Sequence, residues 1–371
     1  MKKTLLIAAL SMAATPAFAS KARLSALGNA EHLSDIQQTF DRPYEATMHG
    51  EYATLEFGGA AGAPNAEAGF NRQVSEGNYL GFYVNRKPTA LVSALSTAPA
   101  AAQTAINPLL DNSFNVFYGS RAGEIAWGVN LYYLTSNKKQ AYGTAPNDFT
   151  GKADVAGLSL GAAAGNWEAD AIIGLQGKAT VTNVTSNVES EFKSTSNVTV
   201  RGAYKMDNMY YFAKYGMGGG KFTSGGTDVV NTENTNIEVG LVNSMKSEGA
   251  EFFYGVSYVM GTSKEKVADT KTENNLLPLV VGVEAEANSW MVLRGSVTHV
   301  LPFLSTTKDA AGDKDTASSN TTIAAGAGFK AGKFNVDVLA AAATTGGIAF
   351  DSDAGTNQSN FLTNASLTYN F

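Results

Sequence analysis

The last eleven residues, Phe361-Leu-Thr-Asn-Ala-Ser-Leu-Thr-Tyr-Asn-Phe371, state both a secondary structure and a solvent. Phe361, Thr363, Ala365, Leu367, Tyr369 and Phe371 share one face of an extended strand, while Asn364, Ser366, Thr368 and Asn370 share the other. One face is apolar and one is polar. The final residue is an aromatic carboxylate, which a soluble sandwich has no need to place there.

This stretch resembles the closing strand of bacterial outer-membrane β-barrel proteins, which ends in Phe with aromatic or apolar residues at alternate positions before it. The resemblance implies that Leu367, Tyr369 and Phe371 form the signal read by the barrel assembly machinery. It also implies contact with outer-membrane lipid and lipopolysaccharide.

The front of the chain agrees with an exported protein. Lys2 and Lys3 precede an apolar run from Leu5 to Leu10, and Ala17-Phe18-Ala19 precedes Ser20. That order predicts a signal peptide over residues 1–19 with cleavage after Ala19. A Ser at position 20, rather than Cys, denies a lipoprotein anchor. No later window holds about 18 continuous apolar residues, so no transmembrane helix is expected. The chain has no cysteine, which excludes thiolate metal sites and cysteine nucleophiles. Without Lys2 and Lys3 the formal charge moves from -6 to -8, which argues against nucleic acid as a partner. The 38 Gly, 15 Tyr and 19 Phe beside only 16% charged residues suit a barrel better than a soluble domain.

Residues 20–45 differ from the rest of the mature chain. Leu24, Leu27, His32, Leu33, Ile36 and Phe40 recur at roughly helical spacing before Pro43, which predicts a short helix or plug on the periplasmic side. The run Arg23-Leu24-Ser25-Ala26-Leu27-Gly28 resembles the N-terminal hatch of long-chain fatty-acid outer-membrane transporters. A linker tucked into the barrel mouth is the alternative.

From residue 46 to 371 a ladder of short polar turns organises the chain. They fall at Glu76-Gly77-Asn78, Ala122-Gly123, Gly165-Asn166, Asp207-Asn208, Ser247-Glu248-Gly249, Asn288-Ser289 and Ala331-Gly332, spaced by 40 to 45 residues. These residue types tolerate positive φ and build tight hairpins. Each interval holds two strands, one tight turn and one long loop. Seven turns with both chain ends on the same side predict an all-β, antiparallel up-and-down transmembrane barrel of 16 strands, or 14 if the first two strands, 46–57 and 66–74, fail. The polar runs 179–195, 262–276, 304–321 and 351–360 read as solvated outer loops. Trp127, Trp167, Tyr210, Phe252, Trp290 and Phe334 come soon after the tight turns, as an interfacial aromatic girdle would.

Alternation sets the two faces. Ile125, Trp127, Val129, Leu131 and Tyr133 point outward against Ala126, Gly128, Asn130 and Tyr132. The same test turns Glu168, Asp170, Arg201, Lys214, Glu238, Glu284, Glu286, Arg294 and Asp337 inward, and with them Gln176 and Lys178. Trp290 shares parity with Arg294, which requires a bulge or a shifted boundary. Charge on a lipid face would cost about 2–4 kcal/mol for Arg or Lys at the midplane, so these groups predict a hydrated interior.

The architecture resembles general porins over almost the whole mature chain. In that family the third outer loop folds inward and faces a basic wall. By loop position this implies residues 135–152, with Asp148 as the acidic group and Arg72, Arg86 and Arg121 as the basic wall. The apolar stretch 88–111 is out of place at a solvated tip and must be buried, either narrowing the pore or covering a subunit contact.

Catalysis finds little support. His32, His49 and His299 are the only histidines, and Leu301 stands where the His-x-Ser arrangement of barrel phospholipases needs Ser. Tyr215 and Phe222 break the phosphate-loop pattern around Gly216–Lys221, and Asp309, Asp313 and Asp315 lack EF-hand spacing. The reading is a porin without enzyme activity, cofactor or metal, passing ions and small hydrophilic solutes by passive diffusion in the outer membrane. The porin resemblance implies a homotrimer. Two alternatives are a transporter of hydrophobic, fatty-acid-type solutes and a structural or adhesive barrel.

Overall fold

The computed structural model describes residues 20–58, 66–86, 113–140, 149–183, 187–195, 197–302, 306–308, 314–316, 319–344 and 364–371. The signal peptide, Asp148, residues 351–360 and the whole apolar stretch 88–111 lie outside the described residues. Nineteen strand segments form one antiparallel sheet that closes on itself. They are β1 (Tyr52–Gly58), β2 (Ala66–Ser75), β3 (Asn78–Val84), β4 (Ser113–Ala122), β5 (Ile125–Gln140), β6 (Phe149–Ala164), β7 (Trp167–Asn183), β8 (Glu189–Ser194), β9 (Asn197–Met206), β10 (Met209–Ser224), β11 (Thr227–Ser247), β12 (Ala250–Glu265), β13 (Thr270–Asn288), β14 (Met291–Pro302), β15 (Thr306–Lys308), β16 (Lys314–Thr316), β17 (Asn320–Ala331), β18 (Phe334–Thr344) and β19 (Asn364–Asn370).

The ring has 16 strands. The short β8 takes the place of β9 beyond its outer end, between β7 and β10. Likewise β15 pairs with β13 past the end of β14, and β16 pairs with β15. The circle closes where β1 meets β19, in register from Tyr52 with Asn370 to Gly58 with Asn364. Closure leaves the ring without a sheet edge, so its 16 strands pair their backbone groups on both sides.

All seven short turns hold two residues and lie at one end of the barrel. Ladder pairs such as Ala122 with Ile125, Ala164 with Trp167 and Met206 with Met209 bracket them. Six carry a residue at positive φ, including Gly123 at 64° and Asp207 at 52°, the conformation that matches the twist of a two-residue hairpin. The sixth turn lies one residue later than expected, at Ser289-Trp290, and a register shift between Glu286 and Asn288 accompanies it. That bulge resolves the parity conflict of Trp290 with Arg294.

The strands exceed the expected spans at the other end. Alternation predicts strands over 208–217 and 235–246 with a loop between them, but residues 218–234 are not a loop: β10 and β11 run on to a tight turn at Gly225-Gly226, with Ser224 opposite Thr227. Residues 262–276 likewise continue the β12–β13 ladder, with Thr262 opposite Glu273. Past the apolar belt neither face has to meet lipid, so alternation fades while the backbone ladder persists. The strand expected from residue 46 begins at Tyr52, because Pro43–Thr47 forms a 3-10 helix instead. A bulge at Leu175 also reverses the alternation of β7, pairing Val155 with Gly177 and Ala156 with Gln176. Ala179 and Val181 beyond it are buried, while Lys178 turns outward to Glu191.

Outward-facing side chains form an apolar belt that includes Leu55, Phe82, Leu131, Leu160, Val239, Val281 and Leu293, all exposed. Such a belt requires an apolar solvent. Trp127, Trp167, Phe252, Trp290 and Phe334 are exposed near the short turns, as the girdle requires. Tyr210 is a correction: it is buried and faces inward, because its hydroxyl bonds Arg201 and Glu168.

Residues 20–48 lie inside the ring. Gly128 shows how closely they approach the wall, since a Cβ there would stand 2.4 Å from the Pro43 carbonyl oxygen. Gly128→Val is therefore expected to leave the barrel folded but displace the segment around Pro43. Unchanged resistance to heat in a gel-shift assay, with faster chymotrypsin cleavage after Tyr44, is the outcome to look for.

Candidate functional site

The lumen is occupied by a plug built from three short elements. The helix α1 (Lys21–Ala26) is capped by Ser20, whose hydroxyl accepts the Arg23 N–H at 3.0 Å. Gly28 and Asn29 then reverse the chain with φ of 66° and 52°. Two 3-10 helices, Ile36–Phe40 and Pro43–Thr47, complete it, the first capped by Asp35.

Apolar side chains of the plug meet inward apolar side chains of the wall. Leu24, Leu27, Ala30 and Leu33 pack on Ala203, Tyr210, Phe212, Val242 and Phe253. Phe40 and Ala46 pack on Tyr83 and Phe117, and Tyr44 on Ala126 and Ala163. Removing this surface from water provides attraction between plug and wall.

Polar contacts decide where the plug sits. In one latch Arg201 reaches Asp170 at 2.6 Å and Glu168 at 2.9 Å, and Glu168 also accepts the hydroxyls of Tyr210 and of Tyr44 from the plug. In a second, Arg294 bonds Asp337 and Glu284, each at 2.6 Å, while Arg23 of the plug meets Glu284 at 2.9 Å. A third joins Glu31 to Arg42 within the plug and to Lys214 of the wall, with Glu238 3.5 Å from Lys214. On the β1–β3 side Gln37 bonds Glu56, Tyr83 and Arg86, and the Arg86 guanidinium stacks 3.9 Å from the Phe40 ring centre. Wall side chains also read the plug backbone: the Asn130 amide donates to the Phe40 carbonyl and the Asn71 amide to the Ala46 carbonyl.

Of the residues expected to line a water-filled pore, Arg86, Arg121, Glu168, Arg201, Lys214 and Glu284 bond the plug directly, Arg121 through the Thr47 hydroxyl at 3.1 Å. Asp337 bonds the Ser20 hydroxyl, and Asp170, Glu238 and Arg294 complete the same latches. Glu286 lies at the short-turn mouth, 3.9 Å from Lys330. Arg72 is a correction. It shares the outward parity of Phe70, bonds Glu51 and lies over the Phe371 ring, because the strand alternation of β2 turns Asn71 rather than Arg72 inward. Tyr369 and Phe371 meet edge to face at 5.3 Å, and Leu367 opposes Leu55 across the closing ladder.

Asp35, Glu31, Arg42, Tyr44 and Gln37 are central to the site, yet sequence reasoning did not single them out. Their one signal is the concentration of charged and amide groups in a segment whose apolar residues also recur. Burial drives the Asp35 carboxyl up to about 6, against the opposing pull of Arg23. Glu31 is held below its ordinary value because Arg42 and Lys214 outweigh the effect of burial.

Below the plug a cavity of about 620 Å³ opens between the short turns, lined by His32, His49, Lys205, Glu251 and Lys330 among others. Among the described residues no cluster of His, Asp or Glu is arranged to hold a metal ion, and no helix is long and apolar enough to cross a membrane.

No protein-family model matches the chain, and no curated protein matches it. Among solved structures it is similar to BauA, the ferric preacinetobactin receptor from Acinetobacter baumannii, at 10% identity and a TM-score of 0.47, covering 80% of this chain and 54% of that one. It is similar to CymD, a monoaromatic hydrocarbon channel, at 8% identity and a TM-score of 0.42, covering 95% of this chain and 98% of that one. OmpT, an outer membrane protein of Vibrio cholerae, matches at 12% identity and a TM-score of 0.37, over 85% and 93% of the two chains. The chain thus spans about half the length of the first of these. The neighbours are outer-membrane barrels, and the likeness is one of fold.

Arg201→Met leaves Asp170 and Glu168 without their cation. It is expected to weaken plug docking by about 3–5 kcal/mol, the usual effect of breaking a buried ion pair from one side. Trypsin cleavage after Arg23 in the folded barrel measures the exposed fraction.

Proposed function

We propose that the protein is an outer-membrane channel for small neutral solutes of apolar or amphipathic character, closed on its periplasmic side by residues 20–48. The observation that carries this reading is the inner wall beyond the plug. Inward positions there are Tyr132, Leu134 and Ser136 on β5, Ala153 and Val155 on β6, and Ala179 and Val181 on β7, all buried. Phe192 opposes Ala179, and Phe222 opposes Phe192, so both face the same lumen. The wall continues through Thr232, Asn234 and Asn236 to Gly261 and Asn274, which are in register. Among the described side chains of this stretch the first inward charge is Glu265, whose carboxylate caps the β12–β13 turn.

A charge-selective pore places fixed charges where solutes pass. Among the described side chains most inward charges are engaged at the plug, and the outer half of this wall is apolar on β5–β8 and neutral polar on β11–β13. An apolar wall favours solutes that gain from leaving water. Movement of the plug then controls release toward the periplasm. Export by the signal peptide and insertion by the assembly machinery through Leu367, Tyr369 and Phe371 belong to the same proposal.

The neutral polar half supports a second reading, a passive porin for ions and small hydrophilic solutes, assembled as a homotrimer. Planar-bilayer recording separates the two. The first reading expects little steady current from the mature chain, large steps after deletion of residues 20–48, and binding of an apolar fluorescent probe that Leu134→Asp with Phe222→Asp abolishes. Steady conductance from the intact chain, proportional to salt and in multiples of three, with no probe binding, favours the second and overturns the first.

A further inference from the structure

The surroundings of Ser20 contain more negative charge than the described residues neutralise. The Ser20 backbone nitrogen donates to Asp35 Oδ2 at 3.1 Å, and its hydroxyl donates to Asp337 Oδ2 at 3.0 Å. Asp35 and Asp337 are both buried. Their charged partners form one connected group: Arg23 meets Asp35 and Glu284, and Arg294 meets Glu284 and Asp337. Three carboxylates thus share two guanidiniums. The first turn of α1 carries no acidic residue, so the compensating groups come from Asp35 of the plug and Asp337 of the wall.

Ser20 is also the residue just past the expected cleavage point after Ala19. In an uncleaved chain its nitrogen is a neutral amide with one hydrogen. After cleavage it is an ammonium with a full positive charge and three donors. We propose that Asp35 and Asp337 form a socket for the newly released α-ammonium of Ser20, so that signal-peptide removal itself supplies the charge that locks the plug into the barrel.

The chemistry needs only the hydrolysis of the Ala19–Ser20 peptide bond, in which water gives one carboxylate to Ala19 and one amine to Ser20, and the amine takes up a proton at neutral pH. The ammonium balances the group at three charges of each sign. It also relieves Asp35, which burial otherwise drives up to about 6. Other groups facing Asp35 do not substitute: His49 is paired with Glu45 at 2.9 Å, Glu45 accepts the Asp35 N–H at 3.1 Å, and Glu56 and Tyr52 add no positive charge. The lock makes plug closure a property of the processed chain, reached only once the protein has left the inner membrane.

The test compares three refolded full-length mature chains: one beginning at Ser20, the same chain acetylated on its α-amine, and one extended by Ala19, which keeps the charge but moves it. Mass spectrometry of the exported protein first establishes the natural N-terminus. Trypsin cleavage after Arg23 then reports plug release. The expected result is an N-terminus at Ser20 and at least tenfold faster cleavage in both altered chains. Asp35→Asn in the Ser20 chain speeds cleavage and removes most of the difference between free and acetylated amine.

The pH profiles separate a charge lock from simple crowding. In the acetylated chain docking tightens as pH falls from about 6 toward 4, because the docked state binds a proton at Asp35 that the released state does not. In the Ser20 chain that window is flat. Docking there is lost only as pH rises through the amine's raised value, above the ordinary value near 8. A different natural N-terminus, equal cleavage of free and acetylated chains, or identical pH profiles would each overturn the proposal. None of these readouts depends on which solute the channel carries.

Discussion

The ladder between β1 and β19 is the contact on which the other features rest. In an apolar solvent an unpaired backbone N–H or C=O costs several kcal/mol, so a sheet of this kind has to close. Seven consecutive register pairs from Tyr52–Asn370 to Gly58–Asn364 make that closure. Once 16 strands stand in a ring, the interior is too wide for wall side chains to meet across it. It must hold water or another part of the chain. Residues 20–48 take that place at the short-turn end, and this accounts for both the polar inner face and its specific pairings.

Apolar packing and ion pairing have different tasks in the plug. The clusters of Leu24, Leu27 and Leu33 with Phe212 and Phe253 attract without much regard to angle. Buried ion pairs add little net stability over apolar replacements of equal shape, but a mispaired one is very unfavourable. Arg201 and Arg294 therefore penalise wrong positions of the plug more than they strengthen the right one. The result is one docked arrangement of the plug rather than a loosely filled lumen.

The β-barrel was legible because its constraints are local and repeated. Two-residue turns with Gly or Asp at positive φ, alternation with period two, and aromatics beside the turns can each be read from a few neighbouring residues. Strand extension beyond the apolar belt was not legible, since Thr227–Asn234 and Thr262–Asn275 look like solvated loop and form ladder only because a partner strand is present. Tyr210 and Arg72 were misplaced for a related reason. Proximity to a turn, for Tyr210, and family loop position, for Arg72, say where a side chain lies along the axis, whereas its face depends on the strand's own alternation.

What the sequence alone determined was the class of solvent on each side of the strands within the apolar belt, and hence an antiparallel closed barrel with inward charge. Each strand's alternation records which face meets lipid, and no knowledge of distant partners is needed for that. What only the tertiary structure decided was the use of the inward charges. Arg201 and Tyr44 are separated by 157 positions in the chain, yet they share Glu168. Periodicity shows that a charge points inward. Whether it meets water or the chain's own N-terminal segment depends on how the ring closes around that segment.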